Sequence, residues 1–385
     1  MRLIEDMQTA RAYFSTNSIT IENEEYLNKQ IITYIGNKRS LLPFIKIGLN
    51  KVLTRLNKSK IKTFDVFSGS GIVARYLKSY SSKIIVNDLE KYSEIINNCY
   101  LSNISEVNMH KIIEYYNKLL YQLEDEKLKP GFITKLYAPR SKNIIRKGDR
   151  AFYTFRNASY IDTARKLIEN IPSKYKYYFL APLLSEASIH SNTSGVFKGF
   201  YKDSKTGIGK FGGNNEDALT RILGDISIPF PIFSNFECDY EIHRGDSNVI
   251  IESIDSVDLA YIDPPYNQHP YGSNYFMLNL IIDYIEPQNI SNISGIPDNW
   301  NRSYYNKKAF AYNSFNELIY KIKAKYLIIS FNSEGFISHK EMISLLKKYG
   351  KVEILETKYN TFRGSRNLKN RDIHVKEYLY LVEKK

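Results

Sequence analysis

Between Asp258 and Asn279 the chain reads DLAYIDPPYNQHPYGSNYFMLN, and three groups near its middle suit one kind of chemistry. The exocyclic amine of a nucleobase is a poor nucleophile, because its lone pair is delocalised into the ring. A carboxylate and a carbonyl that accept its two protons favour the pyramidal form that attacks. Asp263 and the carbonyl of Pro264 are such acceptors, Pro265 stiffens the turn, and Tyr266 offers a face on which a base swung out of a duplex can stack. Read blandly, Asp-Pro-Pro is a strand-ending turn with a capping acid; the aromatic that follows argues for the chemical reading.

Such a turn needs a strand to hold it. Leu259, Ala260, Tyr261 and Ile262 form a short apolar run of the kind that makes a buried parallel strand. Proline lacks a backbone N–H and forces the residue before it into extended angles, so the strand stops at Asp263 and leaves it at the carboxyl edge, where open α/β sheets bind ligands. A second strand signal, Thr63-Phe64-Asp65-Val66, runs into Phe67-Ser68-Gly69-Ser70-Gly71 and then the helical pattern IVARYLKSY. Strand, glycine turn and helix start make a nucleotide cradle, since glycines let a ligand approach the backbone. Counted on to Ala74 the turn also reads as the dinucleotide fingerprint G-x-G-x-x-A, and alone it does not choose a cofactor. Ile84 to Asp88 is a third short strand, ending in an acid at about the distance where a carboxylate commonly holds ribose hydroxyls. Capping of the helix that starts near Glu90 is the alternative use of Asp88. Asp239 to Ser247 alternates like a strand and ends in Gly245-Asp246, which is also an ordinary turn sequence.

Taken together, Asp263-Pro264-Pro265-Tyr266 with Phe67-x-Gly69-x-Gly71 resembles the DNA adenine N6-methyltransferases of the Dam-like class, whose catalytic DPPY motif and motif I have this form. Tyr271, Ser273-Asn274-Tyr275 and Leu278-Asn279 look like the usual continuation of DPPY, and Tyr34-Ile35-Gly36-Asn37-Lys38 looks like motif X ahead of a helix in LLPFIKIGLNKVL. The resemblance implies an α/β fold, a Rossmann-like methyltransferase mixed sheet with an inserted, mostly helical target-recognition subdomain. It implies S-adenosylmethionine as cofactor, with contacts at Tyr34, Lys38, Asp65, Phe67, Ser68, Gly69, Ser70, Gly71, Asp88, Leu89, Asp246, Ser247 and Asp263, and no metal. It implies catalysis by Asp263, Pro264, Pro265 and Tyr266 on adenine N6 in double-stranded DNA, in the manner of a restriction-modification enzyme. A cognate restriction endonuclease acting separately is left open. The alternatives are N4-cytosine methylation, where Ser usually stands in place of Asp263, RNA adenine methylation, and a DNA-binding specificity protein without activity.

The whole chain agrees in composition. Its 385 residues hold 54 Lys and Arg against 41 Asp and Glu, a net charge of +13, with 32 Tyr and 20 Phe. A basic, aromatic-rich surface suits phosphates and unstacked bases. Neither a run of about 20 apolar residues nor an apolar signal core is present, so a cytoplasmic protein with no membrane partner is expected. Cys99 and Cys238 are far apart and imply neither a disulfide framework nor a zinc site. His269 reads as a loop residue, since amine methylation needs no histidine.

By position, residues 1–28 are a lead-in and 29–100 the first catalytic segment. Residues 101–238 form an insertion too long for a loop, and 239–385 the second catalytic segment. The insertion carries helical pieces in MHKIIEYYNKLLYQL, YIDTARKLIENI and YKYYFLAPLLSEASI, then a polar stretch over about 190–214. There Lys198, Lys202, Lys205 and Lys210 alternate with Phe197, Phe200, Tyr201 and Phe211, a pattern for phosphate contact and base stacking. SNTSGVFKGFY resembles a recurrent target-recognition segment, which implies DNA contacts at Asn192, Thr193 and Ser194. Leu327 to Phe331 reads as a fifth strand and VEILETKYN with EYLYLVEK as a closing antiparallel pair, joined by a basic connection holding Arg363 and Arg366 that could track DNA. The loop around Trp300 and NRSYYNKK is expected to serve as a lid or a DNA contact.

Overall fold

The computed structural model of the chain describes residues 21–125, 127–360 and 374–385. Arg363 and Arg366 lie outside the described residues, as do the first 20 residues of the lead-in. The chain forms two compact units, one made of residues up to Ile35, Asn98–Asn235 and Ser273–Trp300, the other of Gly36–Asn97, Phe236–Gly272 and Asn301–Lys385.

The second unit is built on a seven-stranded sheet. Its strands are β1 (Ile61–Asp65), β2 (Ser81–Asp88), β3 (Asp239–Arg244), β4 (Val257–Ile262), β5 (Ala324–Asn332), β6 (Gly350–Asn360) and β7 (His374–Lys384). They lie in the order β3-β2-β1-β4-β5-β7-β6. The first five are parallel, and β7 runs antiparallel to both β5 and β6. This is the mixed sheet expected from the sequence, with its closing antiparallel pair. Every residue of β4 is buried, because helices cover both faces of a parallel sheet. One face carries a core of Phe64, Ile85, Ala260, Ile262, Phe315, Leu318, Leu327, Ile329 and Met342. The strand order reverses between β1 and β4, whose Asp65 and Tyr261 stand in register. Ligands of open α/β sheets bind at that reversal.

The first unit is helical. It contains Met109–Asp125, Phe132–Tyr137, Phe155–Glu169, Ser173–Ile189 and Phe276–Asp283. The three helical stretches read from the insertion are all present, and Ser173–Ile189 continues through Pro182. Residues 273–300, which the sequence leaves in the second catalytic segment, cluster with this unit for a packing reason. Phe276 lies against Tyr137 and Phe152, and the Arg165 guanidinium donates to the carbonyls of Ile281 and Ile282. Asp162, fully buried, accepts the N–H groups of Gly131, Ile133 and Thr134 and the hydroxyls of Thr134 and Tyr284. With that many donors its charge is satisfied internally.

Candidate active site

The carboxyl edge at the β1/β4 reversal gathers the motifs. After Asp65 the next N–H, that of Val66, donates to the Tyr261 carbonyl at 3.0 Å, so the glycine turn leaves the sheet beside the end of β4. Gly69 and Gly71 take φ of +53° and +72°, where a side chain is strained, and a Cβ on Gly71 would stand 3.0 Å from Asn97 Oδ1. The turn is braced from β2. Ser68 N–H donates to the Asn87 carbonyl at 2.9 Å, Gly69 N–H to Asp88 Oδ2 at 2.7 Å, and the Asn97 amide to Ser68 Oγ at 3.0 Å.

Asp88 takes up the capping use left open by the sequence and also braces the glycine turn. Its second oxygen accepts from Glu90 N–H at 2.9 Å, capping the next helix while the first holds the glycine turn. Burial pushes its pKa up to about 6, against the N–H groups of Glu90, Gly69 and Leu89. Asp65 is fully buried, and neither of its oxygens finds a hydrogen-bond partner of good geometry among the described residues. Burial, then the charges of Asp263 and Asp88, raise its pKa well above the ordinary carboxylate range, with Ser68 and the Phe67 N–H pulling weakly the other way. Asp246 caps the Ser247–Ser253 helix by accepting from Asn248 N–H at 2.9 Å, and Ser247 is buried.

Asp263 retains 17% exposure, and its Oδ1 lies 3.2 Å from Lys38 Nζ. Burial raises its pKa to about 6 against the neighbouring Lys38 ammonium, with the Glu377 charge adding to the rise. Lys38 follows the left-handed Gly36 and is 4% exposed. Burial opposes its charge, but Asp263 and Glu377, with Tyr266 and Tyr261, outweigh this and hold its pKa well above the usual lysine value. Lys38, expected as a cofactor contact, sets its ammonium against two carboxylates of its own chain, Asp263 at 3.2 Å and Glu377 at 3.0 Å. Tyr266 packs its ring on Phe331 at 5.4 Å, with Lys38 Nζ 5.8 Å from its centre, and its carbonyl accepts from Phe336 N–H at 3.0 Å.

Sequence reasoning missed several neighbours. Asn301 donates to the Leu89 carbonyl and to Glu90, Asn306 to the Asn267 carbonyl, and Tyr305 sets its ring against Phe67 at 5.1 Å. Residues 301–306 thus strap the glycine-turn side to the loop after Asp-Pro-Pro-Tyr. Glu377, 1% exposed, was legible only as a charge in the otherwise apolar YLYLV strand.

Tyr34 and the expected DNA contacts between Asn192 and Lys210 belong to the helical unit. Tyr34 stacks on Tyr275 at 4.8 Å, and Ile35 N–H donates to the Tyr275 hydroxyl. Asn192 is fully buried: its amide donates to the carbonyls of Ala151 and Lys210 and its Oδ1 accepts from Gly212 N–H. Thr193, 2% exposed, bonds Ser191 and Gly195 N–H. Both are buried and build the loop; Ser194 is half-buried. Phe197, Phe200 and Phe211 are core residues here, because the loop folds its aromatics inward against Phe152. Lys198 and Lys205 are exposed and Lys202 half-exposed over the Phe200 ring, while Lys210 pairs with Glu216.

A Rossmann-like mixed sheet with a glycine turn and Asp-Pro-Pro-Tyr side by side at its reversal defines a methyltransferase class. The profile of the family described as D12 class N6 adenine-specific DNA methyltransferase matches residues 34–345, and the chain belongs to that family. It is 31% identical over 364 residues to the type II methyltransferase M.CviAII of Paramecium bursaria Chlorella virus 1, covering 91% of this chain and 98% of the relative. It is 28% identical over 361 residues to the type II methyltransferase M.NlaIII of Neisseria lactamica, covering 92% and 99%. The modification methylase StsI of Streptococcus sanguinis is 28% identical over 371 residues, which are 91% of this chain and 52% of that protein. The enzyme is therefore a DNA adenine methyltransferase, which removes the cytosine-N4 and inactive alternatives. Among the described residues no helix is long and apolar enough to cross a membrane.

Proposed function

We propose that the chain takes its methyl group from S-adenosylmethionine and acts as the modification enzyme of a restriction-modification system, on adenine in duplex DNA. The observation that carries the donor site is the register of Asp65 with Tyr261 at the strand reversal, which sets the glycine turn beside Asp263. The residues fit that donor. Asp65, Asp88 and Asp263 are three carboxylates around one turn, neither Asp65 oxygen has a well-aligned hydrogen-bond partner among the described residues, and the proposed ligand brings an ammonium and a sulfonium. When bound, it supplies an electrophilic methyl group.

The chain's own residues do the rest. Gly69 and Gly71 keep the turn open to a ligand, and Asp65 and Asp88 offer acceptors to its polar groups. Asp263 and the Pro264 carbonyl accept the two protons of the adenine amine, and Tyr266 supplies the face for the extruded base. Leu89, Asp246 and Ser247 complete the cofactor set in this reading, and Lys198, Lys202 and Lys205 meet phosphates. Isothermal titration with S-adenosylmethionine tests the donor site: wild type binds, and Asp65→Asn loses about 1.5 to 3 kcal/mol, as expected for a hydrogen bond to a charged group. Absence of binding by wild type would overturn the donor, and DNA modified by the enzyme yet cut normally by every partner nuclease tried would overturn the modification role.

A further inference from the structure

Glu377 lies in β7, hydrogen-bonded between β5 and β6, opposite Asn332 and Thr357. It accepts from Ser330 Oγ at 2.7 Å and from Lys38 Nζ at 3.0 Å, and the same ammonium reaches Asp263 at 3.2 Å. Two carboxylates therefore share one ammonium inside the sheet edge. Each buried charge loses several kcal/mol of hydration, and apolar replacements of such sets are often equally stable, so stability gives little reason for a glutamate here. Asp263 gives one. An ammonium devoted to Asp263 alone would neutralise it and occupy an acceptor site that the amine needs. A second carboxylate draws part of that ammonium's field and one of its three donors away.

We infer that Glu377 is a positioning residue, which holds Lys38 between itself and Asp263 and so leaves the Asp263 carboxylate incompletely neutralised. The inference rests on the catalytic reading of Asp263. Among the described residues, the other titratable groups facing the trio are Asp65 and Tyr261 beside Asp263, Tyr261 and Tyr266 beside Lys38, and Tyr380 beside Glu377. The sign of the effect follows from the charges. Removing the Glu377 charge leaves Lys38 wholly to Asp263 and lowers the pKa of that carboxyl; removing Lys38 raises it.

Single-turnover methyl transfer to duplex DNA, followed across pH, tests this. The wild-type acid limb should lie near 6, the value to which Asp263 is raised. Glu377→Gln, which keeps a hydrogen-bonding group of the same shape, should move the limb to lower pH and reduce the plateau on the order of tenfold as the acceptor weakens. Lys38→Met should move the limb to higher pH, and Lys38→Arg should leave it near wild type. A limb that Glu377→Gln leaves in place or moves upward overturns the inference, as does one that Lys38→Met fails to raise. Thermal unfolding checks that each variant is folded; if Glu377→Gln is not, the Lys38 pair decides. Normal transfer by Asp263→Ala would defeat the catalytic reading itself, whereas an inert Asp263→Ala with an unmoved Glu377→Gln limb defeats only the role of Glu377.

Discussion

The edge of the sheet and the polar loop over about 190–214 hold similar inventories of polar and aromatic side chains, and the fold uses them in opposite ways. At the edge, β1 and β4 end at acids whose hydrogen-bonding capacity is left incomplete, as with Asp65, or divided, as with Asp263. In the loop, Asn192 accepts and donates to its own backbone and Phe197 and Phe200 close over it. Buried polar groups are normally satisfied, so one that is not points to a ligand, while one that is satisfied explains itself. Asp65 and Asn192 differ in satisfaction more than in residue type.

Four substitutions sharpen the contrast. The largest effect is expected on the outer face of the loop. Neutralising Lys198, Lys202 and Lys205 together should lower the slope of log K against log salt for DNA binding by about 2 to 3 if each meets a phosphate, weakening binding on the order of a hundredfold at 0.15 M salt. An unchanged slope would leave the whole loop as scaffold. Next, Asn192→Ala strands the Ala151 carbonyl and the Gly212 N–H, and should cost about 2 to 4 kcal/mol in denaturant unfolding. A neutral result would erase the difference between loop and edge.

At the edge, Tyr266→Ala should lose roughly 1 to 3 kcal/mol of the stacking that offsets base extrusion, and Tyr266→Phe should keep most activity. With 2-aminopurine at the target position the alanine variant should show less fluorescence rise than wild type. Equal rates for alanine and phenylalanine would return the ring to packing against Phe331. The smallest effect is a gain in stability. Because the folded-state pKa of Asp263 is raised to about 6, the folded chain holds that proton more tightly than the unfolded chain does. Its contribution to stability is therefore most favourable below the ordinary carboxylate pKa and declines as pH rises toward 6, remaining unfavourable above it. Asp263→Asn should accordingly raise stability at pH 8, by no more than the roughly 3 kcal/mol that a rise from 3.8 to about 6 carries at about 1.36 kcal/mol per tenfold difference in proton affinity, with the gain gone by about pH 4. A loss at pH 8 would mean that Lys38 needs Asp263 more than burial penalises it.

Strand ends were the readable part of the sequence. Proline after Asp263 and glycines after Phe67 fix the backbone locally, so the motifs and their places on β1 and β4 follow from neighbouring residues alone. Burial in the loop depends on Phe152 and Ala151, some 40 residues before Asn192 and Phe197, and no local pattern carries it. Lys38 and Glu377 show the same limit inside the catalytic unit, since they meet across 339 positions of chain. Residues 273–300 read in sequence as one segment with the DPPY motif, while the Phe276–Asp283 helix sets Phe276 against Tyr137 and Phe152 of the helical unit.

Asp263 at the end of β4 bears the central catalytic role, and one turnover measures it. Duplex DNA and donor carrying a labelled methyl group are mixed with excess enzyme, and the labelled bases are then identified. Wild type should label adenine N6, and Asp263→Ala should do so at least about a hundredfold more slowly, the loss expected when a pre-aligned polar group is removed, with its affinity for DNA retained. A near-wild-type rate in that variant, or label recovered on cytosine N4, would contradict the mechanism.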